Sequence, residues 1–235
     1  MNRYIDAPTA MTPGSEKAFQ ERVRRALSHD VHTPLGTIAN YASILEYHSD
    51  PKPAEVPVFA ARIRTSALRA AAMLQTVAEA LALSQRTLQR EEIEPGGVVR
   101  AILAELTLHA HFPTRGPESI ERVPFDRELL AFAWKAFLVS NAEASGEHVL
   151  DIDVEVATIE SEYVAMLWVG DHRTPLTEVF DADHFPSSAA VLGQPDSKFA
   201  LGFAEDLVEL HGGSVGFFGR AGDASGLRIA FPHGR

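Results

Sequence analysis

The feature that most constrains the fold is a helical repeat over residues 54–89. Apolar and small residues recur there at alternating steps of four and three, and leucines repeat at steps of seven on a neighbouring face. The first set comprises Phe59, Ile63, Ser66, Ala70, Met73, Val77 and Ala80, and the second comprises Leu74, Leu81 and Leu88. This spacing is typical of coiled coils and helix bundles. It predicts one long helix that needs helical partners along its length.

A second helical pattern precedes the first, over residues 16–48, after an arm at residues 1–14 that we predict to be flexible. Pro34 interrupts the pattern and should disturb the helix just after His29, because proline lacks an N–H group. Residues 49–53 predict a turn between the two helices. Two such helices cannot bury a wide apolar stripe by themselves. Residues 15–90 therefore predict a hairpin that dimerises into a symmetric four-helix bundle.

The pattern changes at Glu94-Pro95-Gly96-Gly97 to a mixture of helix and strand. Helical segments are predicted at 98–108, 125–144 and 200–210, and strands at 149–156, 163–169, 214–218 and 227–231. Asp126 is predicted to cap the second of these helices. The predicted fold class is α + α/β, with the helical hairpin followed by an α/β sandwich over residues 94–235.

Composition excludes several classes of function. The formal net charge of −11 disfavours nucleic acid as a partner, and the absence of cysteine excludes disulfides and thiolate metal sites. No run of about 18 apolar residues predicts a membrane span, and the N-terminus does not resemble a signal peptide. We therefore expect a cytoplasmic protein, either complete or a cytosolic part of a longer one.

The chemically most suggestive residues lie in the first helix. His29 is followed at once by Asp30, and Thr33 lies four residues later on the same helix face. Neutral imidazole is a competent nucleophile near neutral pH, and an adjacent carboxylate can orient the ring and select its tautomer. His32 is a rival nucleophile, but no acid follows it.

The segment 27–45, read together with the second helix, resembles the H-box region of the sensor histidine kinases of two-component signalling. The resemblance implies that His29 is a phosphoacceptor and that Asp30 supports it. It also implies that Thr33 helps to place a water molecule for dephosphorylating a partner protein. The sequence departs from the family at His32, where the family usually has arginine or lysine.

Residues 94–235 are similar to the Bergerat-type ATP-binding domain of the same kinases. Asn141 lies in the segment 134–145 that matches the N-box, so the resemblance makes it the Mg²⁺-binding asparagine. Asp171 matches the G1-box aspartate that reads the adenine amino group. Segment 204–213 closely matches the helix and turn that follow the G2-box.

The glycines of both boxes are missing. The G1 glycines fall on Arg173 and Pro175, and the G2 glycines fall on Lys198 and Ala200. Glycine is used where backbone approaches phosphate closely or needs positive φ. The substitutions argue against normal binding of Mg·ATP. We therefore assign no cofactor to the chain and predict that it does not autophosphorylate efficiently.

The predicted function is phosphotransfer of the kind performed by dimeric phosphorelay histidine phosphotransferases. His29 would exchange a phosphoryl group with the aspartate of a response-regulator receiver domain, the predicted partner besides a second copy of the chain. Two alternatives stay open: an active ATP-dependent histidine kinase with a divergent ATP lid, and a non-catalytic regulator that binds a receiver or a kinase.

Overall fold

The computed structural model describes most of the chain. The described residues are 13–47, 55–111, 123–145, 149–159, 161–170, 195–220 and 224–232. The G1-box region, including Asp171, and the turn at residues 49–53 lie outside them.

The N-terminal part is a long helical hairpin. Its elements are α1 (Pro13–Arg25), a π turn (Ala26–Asp30), α2 (His32–Tyr47) and α3 (Glu55–Ser84). The predicted seam of α3 packs inward: Ala70, Met73, Val77 and Ala80 are buried. Near the hairpin tip, the rings of Tyr41 and Phe59 stack at 5.5 Å, with the Arg62 guanidinium 5.8 Å from the Tyr41 ring. Leu88, the last leucine of the predicted repeat, lies beyond the end of α3.

The C-terminal part is an α/β layer structure. Its helices are α4 (Pro95–Leu106), α5 (Arg127–Ser145) and α6 (Pro195–Leu210). Its strands are β1 (Arg90–Ile93), β2 (His109–His111), β3 (Val123–Asp126), β4 (Val149–Ile159), β5 (Glu162–Gly170), β6 (Ser214–Arg220) and β7 (Ala224–Pro232). The predicted fold class is confirmed, and each helix and strand predicted after residue 94 has a counterpart here.

The main sheet has five strands in the order β2-β4-β5-β7-β6. Strands β2 and β4 are parallel, and the remaining neighbours are antiparallel. A separate two-stranded sheet pairs β1 with β3. The burial of Val98, Phe137 and Leu207, on α4, α5 and α6, places the three helices in the core.

Asp126 begins α5 as predicted. Its Oδ1 accepts hydrogen bonds from the backbone N–H groups of Glu128 at 3.1 Å and Leu129 at 3.0 Å, as an N-cap does. The same carboxylate is paired with Arg86 and accepts the Gln89 N–H at 2.8 Å. Asp126 therefore ties the chain that leaves α3 to the start of α5.

One hydrophobic core spans both parts. Phe19, Ala26, Val77 and Ala80 of the hairpin belong to the same buried cluster as α4, α5, α6 and the sheet. Within the described ranges, no helix is both long enough and apolar enough to cross a bilayer.

Candidate functional site

The candidate phosphoacceptor lies in a π turn. The N–H of Val31 donates to the carbonyl of Ala26 at 3.0 Å, five residues back. Pro34 accounts for this turn, because it has no N–H and an α-helical ladder would drive its ring into the Asp30 carbonyl. The extra residue of a π turn moves that ladder out of register, and such turns are frequent at functional sites. The predicted disturbance at Pro34 is therefore a π turn that contains both His29 and Asp30.

The His29 ring is exposed and held by its neighbour. Its Nδ1 lies 3.0 Å from Oδ1 of Asp30, and the two side chains are 73% and 28% exposed. An ionised carboxylate can only accept, so the neutral ring carries its proton on Nδ1 and donates it to Asp30. The lone pair of Nε2 is then free for nucleophilic attack.

Thr33 and His32 each donate a side-chain hydrogen bond to a backbone carbonyl of the π turn. Thr33 Oγ1 donates to the carbonyl of His29 at 3.3 Å, and Nδ1 of His32 donates to the carbonyl of Leu27 at 3.3 Å. His32 thus has a role in holding the turn and has no carboxylate partner. The structure brings His29, Asp30 and Thr33 together within two helical turns.

Asn141, the predicted nucleotide-site residue, is engaged within the protein. Its Nδ2 donates to the carbonyl of Phe137 at 2.9 Å, and its Oδ1 accepts the hydroxyl of Ser225 on β7. The Oδ1 atom is the one that would coordinate Mg²⁺. The described part of the chain contains no cluster of three acidic or histidine side chains able to hold a metal ion.

The predicted loss of the second glycine box has a structural counterpart. Positions 198 and 200 lie inside α6, which begins at Pro195. Lysine and alanine favour helix, whereas glycine would weaken it. Beyond the first turn of a helix, backbone N–H groups bond to carbonyls four residues earlier and are not available to a phosphate. Position 198, position 200 and the Asn141 side chain are thus all engaged within the protein.

Helix α6 also docks on the hairpin next to the π turn. The guanidinium of Arg22 pairs with the Asp206 carboxylate through two hydrogen bonds, one of them 3.0 Å from Nη2 to Oδ1. The rings of Phe19 and Phe203 meet edge to face at 6.0 Å. At the end of α6, Nε2 of His211 donates to the carbonyl of Leu83 at 3.1 Å. Sequence reasoning did not find this contact.

The contact shifts the pKa values of three groups. Burial lowers the pKa of His211 and, together with the nearby Glu209, raises the pKa of Glu205. Burial alone would lower the pKa of Arg22, but the hydrogen bond to Asp206 and the nearby carboxylates raise it. Arg22 therefore stays a cation and His211 is neutral at neutral pH.

A helical hairpin with an exposed histidine, followed by an α/β layer with three helices and a mixed sheet, is the architecture of the histidine kinases. The histidine kinase AdeS of Acinetobacter baumannii superposes with a TM-score of 0.54 at 12% identity, over 88% of this chain and 98% of that one. The histidine kinase ThkA, in complex with the response regulator protein TrrA, also gives 0.54, at 15% identity, over 94% and 65% of the two chains. The recognised fold is thereby confirmed. No protein-family model and no curated protein matches the sequence.

Proposed function

We propose that this protein is a phosphotransfer protein of two-component signalling, with His29 as its phosphoacceptor. The observation that carries the proposal is the geometry at the π turn. One ring nitrogen of His29 is bonded to Asp30, and the exposed ring leaves the other nitrogen open to a partner.

The reaction transfers a phosphoryl group between His29 and an aspartate of a receiver domain. As the N–P bond to Nε2 forms, the P–O bond of the aspartyl phosphate breaks, and its electron pair stays on the aspartate carboxylate. Asp30 holds the Nδ1 proton and stabilises the positive charge that develops on the ring. The receiver would supply its own Mg²⁺ and acidic pocket, so catalysis rests mainly on positioning and electrostatics. Thr33 would help to place a water molecule that attacks the aspartyl phosphate of the receiver, in a separate reaction that breaks the same P–O bond and releases inorganic phosphate.

The charge distribution supports a receiver as partner and disfavours ATP as donor. Residues 1–90 carry 11 Lys and Arg against 8 Asp and Glu, whereas residues 91–235 carry 10 against 24. An acidic domain repels a nucleotide triphosphate, while a basic hairpin attracts an acidic pocket. The complex of ThkA with TrrA is a precedent for a response regulator bound to this fold.

A second copy of the chain would complete the hairpin. One face of α3 is exposed over about six turns and is lined by small and apolar residues, with Arg64 at its edge. It consists of Val56, Ala60, Ala67, Ala71, Leu74 and Ala78. Small residues let helices approach closely, and a symmetric contact of this face with itself buries the whole stripe. We therefore propose a homodimer through a four-helix bundle.

The test is transfer of label from a ³²P-phosphorylated receiver to the purified protein. His29→Ala should abolish the acid-labile label, because no other ring nitrogen pairs with a carboxylate in this turn. His32→Gln is the matched control, since the glutamine amide can still donate to the Leu27 carbonyl, and it should keep the label. Label retained in His29→Ala and lost in His32→Gln would refute the assignment.

Labelled ATP separates the two alternatives. Incorporation from γ-labelled Mg·ATP that His29→Ala abolishes would identify an active kinase. Receiver binding with no label from either donor, and equal binding by His29→Ala, would identify a non-catalytic regulator.

A further inference from the structure

Three arginines precede the π turn, and they differ in what they contact. Arg22 is paired with Asp206, and Arg24 is paired with Glu21 of its own helix, with 2.9 Å from Nε to Oε2. Arg25 is exposed, and no hydrogen bond, ion pair or ring contact engages it in the described part of the chain. Among these three arginines, Arg25 is therefore the one whose guanidinium is available to bind something else.

Arg25 and His29 lie on one side of the helix. They are four residues apart, and the intervening residues form the π turn. A π turn needs more residues per revolution than the 3.6 of an α-helix, so a step of four returns almost to the same direction. The side chains of Arg25 and His29 therefore project in nearly the same direction, one turn apart. Arg24 lies one residue earlier, projects in a different direction and is hydrogen-bonded to Glu21.

We propose that Arg25 binds the phosphoryl group carried by His29, an inference that rests on the proposed function. A phosphoryl group adds about −1.5 to −2 charges and three strong acceptor oxygens at neutral pH. A guanidinium presents paired N–H donors that match two of those oxygens, and the pair is stronger than a neutral hydrogen bond. The helix that carries His29 thus supplies an anion-binding side chain, Arg25, for the phosphoryl group on Nε2. Asp30 binds the other ring nitrogen, Nδ1.

The same contact acts during transfer. The transferring group carries its charge on three equatorial oxygens, and a guanidinium at those oxygens stabilises the transition state as well as phospho-His29. A hydrogen bond between charged partners is stronger than one between neutral groups, so its loss slows transfer measurably. Because Arg25 is exposed, we expect a modest effect, about a tenfold slower transfer on its removal.

The experiment compares Arg25→Ala, Arg25→Lys and the matched control Arg24→Ala. Each is phosphorylated by phosphoramidate, a small donor without a docking surface, and separately by a phosphorylated receiver. The ³¹P resonance of phospho-His29 is then titrated. Arg25→Ala should slow labelling by both donors about tenfold and raise the second pKa of the phosphoryl group, Arg25→Lys should restore part of each, and Arg24→Ala should match the wild type.

The outcomes separate this inference from the proposed function. If Arg25→Ala matches Arg24→Ala in rate and ³¹P titration, the phosphoryl contact is refuted while His29 stays the acceptor. Slowing with the receiver alone, without a change in the titration, would also refute it and assign Arg25 to docking. If neither donor labels His29 in the wild type, the proposed function fails and this inference fails with it.

Discussion

The ion pair between Arg22 and Asp206 gives the most direct test of how α6 docks on the hairpin. The Asp206 side chain is 8% exposed and the Arg22 side chain is 37% exposed. A fully buried pair loses about 3–5 kcal/mol when one partner is removed, and an exposed pair contributes less than about 1 kcal/mol. Because the Arg22 side chain is partly exposed and two hydrogen bonds join it to Asp206, we expect a coupling free energy between these values, about 1–2 kcal/mol.

A double-mutant cycle measures this coupling. Arg22→Ala, Asp206→Ala and the double variant are unfolded in urea, and the free energies of unfolding are compared. Arg22→Ala should be the more damaging single change, because it leaves a buried carboxylate without its partner. The control cycle on Arg24 and Glu21, an exposed pair within one helix, should show additive effects of the two single changes.

Gly202 offers an independent perturbation of the same contact. A Cβ atom at this position would lie 2.1 Å from Nη1 of Arg22, so Gly202→Ala must displace the guanidinium while both charged groups remain. Alanine gains about 1 kcal/mol of helix propensity, which partly offsets the loss. If effects in the Arg22 and Asp206 cycle are additive within about 0.3–0.5 kcal/mol, and Gly202→Ala simply stabilises, the pair does not hold α6 in solution.

Three further predictions address the dimer, the nucleotide and the pH response. Leu74→Glu should dissociate the proposed dimer in analytical ultracentrifugation, whereas Leu68→Glu, at a leucine 66% exposed on a polar face of α3, should not. Equal behaviour of the two variants would refute the proposed face. Mg·ATP at 1 mM should raise the free energy of unfolding by less than about 0.4 kcal/mol, the value for a Kd equal to that concentration, and a larger saturable increase would contradict it. Burial lowers the pKa of His211 in the folded protein. The contribution of neutral His211 to the free energy of unfolding is therefore complete above about pH 6.5, and it is lost as the pH falls towards the lowered pKa of the folded state. His211→Gln should flatten this acid-side loss, and an unchanged pH profile would exclude His211 as its source.

The elements that the sequence predicted well are those with a local physical cause. The repeat of α3 predicted its inward face because a buried stripe recurs at the helical period. Asp126 was predicted as a cap because carboxylates satisfy the free N–H groups at a helix start, and the structure shows both hydrogen bonds. The Leu88 position was wrong, since a seven-residue step does not reveal where the helix ends.

The features that sequence reasoning missed depend on contacts between distant residues. Arg22 and Asp206 are separated by 184 positions, and Asn141 and Ser225 by 84. No local pattern specifies such partners, because they meet only after the sheet and α6 have assembled. Pro34 did signal a disturbance near His29, but a proline can be accommodated by a kink, a break or a π turn. In this structure the disturbance is a π turn, and its first residue, Ala26, is buried.

Ala26, the first residue of the π turn, links this turn to the α/β part. Ala26 opens the π turn, is 1% exposed and belongs to the same buried cluster as Val77 and Ala80 of α3 and Phe203 of α6. The α/β part therefore has a structural task at this turn, since it covers the hairpin face on which Ala26 lies. Without it, Ala26 and the hairpin residues of this cluster would be exposed to solvent. The position of His29 is thus tied to the packing of the α/β part against the hairpin.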